Sequence, residues 1–122
     1  MDIVISFVAT FLIVFIVPII IYGLFVKYAG LKEPEKQLTF MVSVLVQKIG
    51  TALGFVALFT IGHEYFSNNW LMYGLIWAIM FAIVEIGQAI GSNYSKQEAT
   101  AGIISEFIYF PLAALTIAKL LA

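Results

Sequence analysis

The chain contains no cysteine and no arginine, and it has a single histidine among its 122 residues. Without cysteine it can form no disulfide, no thiolate metal site and no cysteine nucleophile. One histidine is too few for a zinc site or a bis-histidine haem within the chain. The sequence therefore predicts neither a metal nor a cofactor.

Charge is scarce as well. Charged residues make up 11% of the chain and its net charge is −1, whereas hydrophobic residues make up 63%. Soluble globular domains average roughly 45–50% apolar and 25% charged residues. The net charge and the absence of arginine argue against nucleic acid as a partner. The mean hydropathy of +1.08 predicts an all-α integral membrane protein in contact with the lipid bilayer.

Catalytic signatures are missing too. The chain has no glycine-rich phosphate loop, no Ser-His-Asp set and no metalloprotease helix motif. We therefore expect a protein that is not an enzyme. A small lipid-modifying membrane enzyme is the most distant alternative.

Four apolar runs, at residues 3–26, 38–62, 70–91 and 99–121, each exceed the roughly 20 residues that cross a bilayer core. The first run has no basic segment before it and is too long for a signal peptide, so we expect it to be retained. Short polar connections force neighbouring helices to be antiparallel. The sequence predicts one membrane domain over residues 1–122, an up-down four-transmembrane-helix bundle with short loops.

The lysines are unevenly distributed between the two ends of this predicted bundle. Lys27, Lys32, Lys36 and Lys96 lie in the first and third connections, and Lys119 lies near the end of the chain. Positively charged connections favour the cytoplasmic side. We therefore expect both termini outside, in the plasma membrane of a prokaryote.

Three ionisable residues lie deep within the apolar runs, away from their ends. Lys48, Glu85 and Glu106 lie roughly 15, 9 and 10 Å from the same face of the bilayer at the rise of an α-helix. The lysine stem can extend towards that face and bring its ammonium group level with the carboxylates. Each such charge costs at least ~2.5–3.5 kcal/mol, so buried charges of this kind indicate a functional site. The three are therefore predicted to share one site.

Helical periodicity places small and polar residues beside these charges. Small residues mark faces where another helix backbone approaches closely. The residues predicted to pack helices together are Gly50, Gly54, Gly74, Ala78 and Gly102. The residues predicted to bind a proton, an ion or a substrate are Glu85, Glu106, Lys48, Gln88, Gln47 and Tyr109.

Two functions remain open from the sequence. In the first, the chain is a proton- or cation-linked transporter or channel that acts as a homo-oligomer, because four helices seldom enclose a pathway alone. Two carboxylates against one ammonium leave a formal charge of −1, and burial opposes that charge, so one carboxylate is a candidate proton or cation site. In the second, the chain is a non-catalytic accessory subunit of a larger membrane complex, and the charges fix the register of its helices or pair with another subunit.

Overall fold

The computed structural model describes residues 2–32, 37–92 and 95–121, and this part of the chain forms five α-helices. They are α1 (Asp2–Tyr28), α2 (Gln37–Ile61), α3 (His63–Phe66), α4 (Trp70–Gly91) and α5 (Lys96–Leu120). All but α3 are long and apolar enough to cross a membrane. The predicted all-helical class with four long apolar helices is confirmed. Residues 33–36 of the first predicted connection and 93–94 of the third lie outside the described residues.

The helix bounds differ from the predicted runs where polar residues begin or end a helix. α5 starts at Lys96 and not at Ala99, because Ser95 caps it by accepting a hydrogen bond from the Glu98 N–H at 3.0 Å. α1 continues to Tyr28 and is followed by Gly30 with a φ of 74°, a left-handed conformation that often follows a helix end. The one-turn helix α3 was not predicted, because four residues carry no periodic signal.

α5 forms the centre of the bundle. In its most apolar stretch of 18 residues, 56% of the residues are buried, against 22% in the corresponding stretch of each of the other three long helices. It packs between α1 and α4, and α2 packs against α1. Alanines account for much of the buried α5 surface, including Ala101, Ala113 and Ala114. Small side chains let its neighbours approach on two sides.

Neighbouring long helices run antiparallel. On α4 and α5, Gly74 lies against Phe110 and Pro111, whereas Glu85 lies against Gly102. On the side of α5 that faces α1, the Tyr22 hydroxyl donates a hydrogen bond to the backbone carbonyl of Glu98 in the first turn of α5, at 3.3 Å. In these contacts the start of one helix lies beside the end of its neighbour, so the chain crosses the bundle in alternating directions.

The two ends of the bundle differ in packing. The terminal end holds the start of α1, the whole of α3 and the end of α5, and aromatic rings fill it. Phe55 of α2 stacks on Phe110 of α5 with ring centroids 5.6 Å apart, and it meets Tyr73 of α4 at 4.8 Å. The Tyr73 hydroxyl also donates a hydrogen bond to the carbonyl oxygen of Phe55. This cluster joins α2 to α4 at the terminal end.

The opposite end, which we call the lysine-rich end, holds Lys27, Lys32 and Lys96 and is more open. Between Gln37 and Gln47 of α2, only Val44 is partly buried and every other residue is exposed. No comparable aromatic contact joins α2 to α4 here in the described part of the chain. α2 and α4 therefore meet at the terminal end and separate towards the lysine-rich end.

The structure departs from the predicted packing face of α2. The residues of α2 that face the bundle are Ala52, Phe55, Val56 and Phe59, not the stripe of small and polar residues. A β-carbon at Gly54 would make an ordinary contact with Trp77, whereas Gly50 is exposed and has no atom within 4 Å of where a β-carbon would lie. The reason is that large aromatic rings fill the gap between α2 and α4, so these helices do not need a close backbone approach.

Candidate functional site

A cavity of about 610 Å³ opens between α1, α2 and α4 towards the lysine-rich end. Phe15, Lys48 and Glu85 are the lining residues nearest the middle of their helices, so they form its floor. Lys32 and Glu98 line it near the mouth. The cavity therefore exists because α2 and α4 diverge, and its floor holds two of the three predicted charges.

Lys48 projects from α2 into this floor and is held by the ring of Tyr109 on α5. Its Nζ donates a hydrogen bond to the Tyr109 hydroxyl at 3.1 Å and lies 4.6 Å from the centroid of the same ring. The ammonium group also interacts electrostatically with Glu106 and Glu85. An aromatic face and a hydroxyl thus replace part of the water that an exposed lysine would have.

The carboxyl group of Glu85 packs directly against the backbone of α5 at Gly102. A β-carbon at Gly102 would be only 2.6 Å from Glu85 Oε1 and 2.7 Å from its Cδ. A larger residue at this position would require the end of the Glu85 side chain to move. Since Gly102 precedes Glu106 by one helical turn, this contact brings the two acids together.

Glu106 lies behind the floor of the cavity with only 3% of its surface exposed. Its carboxyl group is within hydrogen-bonding reach of the Glu85 carboxyl group. Glu85 Oε2 and Glu106 Oε1 are both buried and accept no hydrogen bond from the described residues. Ionised carboxylates only accept hydrogen bonds, so two such groups facing each other leave a place for a proton or a cation.

The structure brings together four of the six predicted binding residues: Lys48, Glu85, Glu106 and Tyr109. Gln47 and Gln88 line the same cavity on its α2 and α4 walls. Gln47 uses its side-chain amide to donate a hydrogen bond to Ser43 at 3.2 Å. The two glutamines thus lie beside the charged cluster and not inside it.

Sequence reasoning missed the contribution of α1. Phe15, Pro18 and Tyr22 line the cavity from α1. They follow one another at spacings of three and four residues, so they share one helical face. A proline and a tyrosine on one face of a long apolar helix were the available signal. The buried hydroxyls of Ser6 and Thr10 on the same helix were missed as well.

Gly102 offers a direct test of this geometry. Gly102→Ala should lose most of the gain of about 1 kcal/mol that alanine brings to a helix, because the new methyl group overlaps the end of the Glu85 side chain, which must move. Adding Glu85→Ala should recover the gain by making room, whereas adding Glu85→Gln, which keeps the size, should not. Denaturant unfolding in detergent measures all three. Equal recovery by both second changes would show that the contact is not steric.

Comparison with protein-family models, with curated proteins and with solved structures found no match for this chain.

Proposed function

We propose that the chain is an integral membrane protein that carries a proton or a cation through the site formed by Glu85, Glu106 and Lys48. The observation that carries this proposal is the pair of facing carboxyl groups, which two helices hold beside one ammonium group at the floor of an open cavity. A cluster that only fixed helix register would not need a cavity next to it. The cavity gives the site access from one side.

The shape of the bundle supports a carrier more than an open channel. At the terminal end, Phe55, Tyr73 and Phe110 pack ring against ring. The cavity reaches the charged cluster from the lysine-rich end and stops there. In this arrangement the site has access from one side only, and passage to the other side requires α2 and α4 to move apart at the aromatic cluster.

The protein acts as a homo-oligomer in this proposal. The outward face of α2 carries Gly50, which is exposed and has no atom within 4 Å of where a β-carbon would lie. A second copy packed on this face would use the glycine for a close approach. Purification in detergent as a homo-oligomer is expected. Co-purification with other chains would favour an accessory subunit of a membrane complex.

The proposed orientation places both termini outside and the lysine-rich end in the cytoplasm. Single cysteines at Gln97 and Asn68, introduced into this cysteine-free chain, should react with a membrane-impermeant reagent from opposite sides, Asn68 from outside. Gln97 is chosen because it is exposed and does not cap α5. Labelling of both from one side would contradict the four-span arrangement, and inverted sidedness would contradict only the orientation.

Transport itself is tested in proteoliposomes. Wild-type protein should move H⁺, Na⁺ or K⁺ under an imposed gradient, and Glu85→Gln should abolish that movement because it removes half of the carboxyl pair. Glu64→Gln is the matched control, since Glu64 is an exposed carboxylate on α3, away from the cavity. If liposomes that contain folded wild-type protein show no movement of H⁺, Na⁺ or K⁺, the result would favour the accessory-subunit function.

A further inference from the structure

The cavity is larger than a proton or a bare metal ion requires. Its volume of about 610 Å³ falls within the roughly 300–1,000 Å³ of sites that hold organic molecules. A proton needs only the Glu85 carboxyl group at the floor and the Glu106 carboxyl group behind it. The remaining space extends from that floor along α1 and α2 to the lysine-rich end, so it is large enough for an organic group attached to whatever charge the floor binds.

The walls of the cavity have two different chemistries. The apolar wall comes from α1 and the start of α2 and contains Phe15, Ile19, Phe40 and Met41. The polar wall comes from α4 and contains Glu85 and Gln88. A ligand with one apolar body and one charged group would satisfy both walls, and aromatic faces are attracted to an organic cation.

The floor determines the sign of that charge. Glu85 at the floor, Glu106 directly behind it and the ammonium group of Lys48 together carry a formal charge of −1 when both acids are ionised. The ammonium of Lys48 already has the hydroxyl and the ring of Tyr109 as partners. Glu85 Oε2 and Glu106 Oε1 have no hydrogen-bond donor among the described residues. An anion would meet the Glu85 carboxylate, with Glu106 behind it, and an engaged lysine, whereas a cation would complete the charge balance.

We propose that the cavity binds an amphipathic organic cation, an ammonium or similar onium group carried on an apolar or aromatic body, in competition with a proton on the Glu85–Glu106 pair. This inference rests on the proposed carrier function and names its substrate class. The onium group lies at the floor beside Glu85, and the body lies against Phe15 and Phe40. Because one pair of acids serves both ligands, binding of the cation releases the proton.

The competition involves groups from every helix around the floor. Lys48 faces the acids from α2 and Tyr109 faces them from α5. Tyr22 of α1 lies near enough to Tyr109 to interact with it electrostatically. Lys32 and Glu98 lie near the mouth of the cavity. Of these groups, only Glu85 and Glu106 face each other as acids, so we assign the exchanged proton to them.

Calorimetric titration of the purified oligomer in detergent tests the proposal with a probe of fixed charge. Tetraphenylphosphonium should bind saturably, and tetraphenylborate, which has the same shape and the opposite charge, should not. Glu85→Gln should weaken tetraphenylphosphonium binding by about tenfold or more, which corresponds to about 1.4 kcal/mol. Glu64→Gln should leave the affinity unchanged.

The pH dependence of wild-type binding gives a second readout that needs no variant. The phosphonium cation has no ionisable group, so any loss of affinity at lower pH belongs to the protein. We expect the affinity to fall as the pH falls, and titrations in buffers of different ionisation enthalpy should show a released proton. An affinity independent of pH, preferential binding of tetraphenylborate, or equal binding to Glu85→Gln and wild-type protein would overturn the proposal.

Failure of the substrate assignment and failure of the carrier function give different results. Proteoliposomes that move protons, from a protein that does not bind tetraphenylphosphonium, would overturn the substrate class and leave the carrier intact. The protein could instead bind tetraphenylphosphonium saturably and with a pH dependence, while its proteoliposomes show no movement of H⁺, Na⁺ or K⁺. That result would support the site and contradict transport of these ions.

Discussion

Lys48→Met should lower the free energy of unfolding by about 1–3 kcal/mol, because it removes a hydrogen bond from a charged donor and the ammonium charge that offsets the two carboxyl groups through electrostatics. Tyr109 would also lose the hydrogen bond and the cation above its ring. Denaturant unfolding of the purified protein in detergent measures the change.

The matched control is Lys27→Met, because Lys27 also lies over an aromatic ring, that of Tyr28 at 5.2 Å, but is exposed. It should change stability by less than about 1 kcal/mol. Adding Glu85→Gln or Glu106→Gln to Lys48→Met should recover much of the loss, since the remaining acid then has a neutral neighbour. Strictly additive effects would contradict a shared site.

Gly74→Ala should lower the free energy of unfolding by about 1–3 kcal/mol, because its methyl group would press the backbones of α4 and α5 apart. A β-carbon there would lie 2.7 Å from the Cα of Pro111 and 2.9 Å from the carbonyl oxygen of Phe110. Backbone atoms inside a helix cannot turn away as a side chain can. Unfolding in detergent again provides the measurement.

Gly87→Ala is the control for this substitution. Gly87 lies on the same helix and has no atom within 4 Å of where a β-carbon would lie. Alanine is a better helix former than glycine by about 1 kcal/mol, so Gly87→Ala should be neutral or stabilising. If the two variants are equally stable, the close approach of α4 and α5 at Gly74 does not hold in solution.

The long helices and the location of the charged site could be predicted from the sequence because each has a strong local signal. Four apolar runs predict four helices, and charges at similar depth predict a shared site. Glu85 and Glu106 do lie together, and the Gly102 predicted to permit a close approach is the residue that Glu85 covers. Periodicity alone was enough to place these side chains on facing surfaces.

The cavity could not be predicted in this way, because it depends on how far apart two helices lie. α2 separates from α4 where aromatic rings give way to smaller and polar side chains, and no local pattern encodes that distance. For the same reason, the predicted packing face of α2 was wrong. Its Gly50 was expected to permit close approach, but the rings of Phe55 and Trp77 occupy the space between α2 and α4, and their centroids lie 5.4 Å apart.

The partner of Lys48 was likewise only half predicted. The sequence paired its charge with two glutamates, whereas in the structure its direct contacts are the hydroxyl and ring of Tyr109, and the glutamates act on it only through electrostatics. Tyr109 lies on the same face of α5 as Glu106, three residues away, so it was expected to line the site. Its role as the direct hydrogen-bond partner depends on the position of α2 against α5, which no spacing within one helix determines.

Proton flux through wild-type protein and Glu106→Gln in parallel proteoliposomes measures the function of the charged site most directly. Glu106 is buried behind the cavity and holds half of the carboxyl pair, so wild-type protein should move protons down an imposed pH gradient and Glu106→Gln should not. Both proteins must form the same oligomer in detergent. Equal proton flux through the two, or no flux through either, would contradict a proton-carrying role for the Glu85–Glu106 pair.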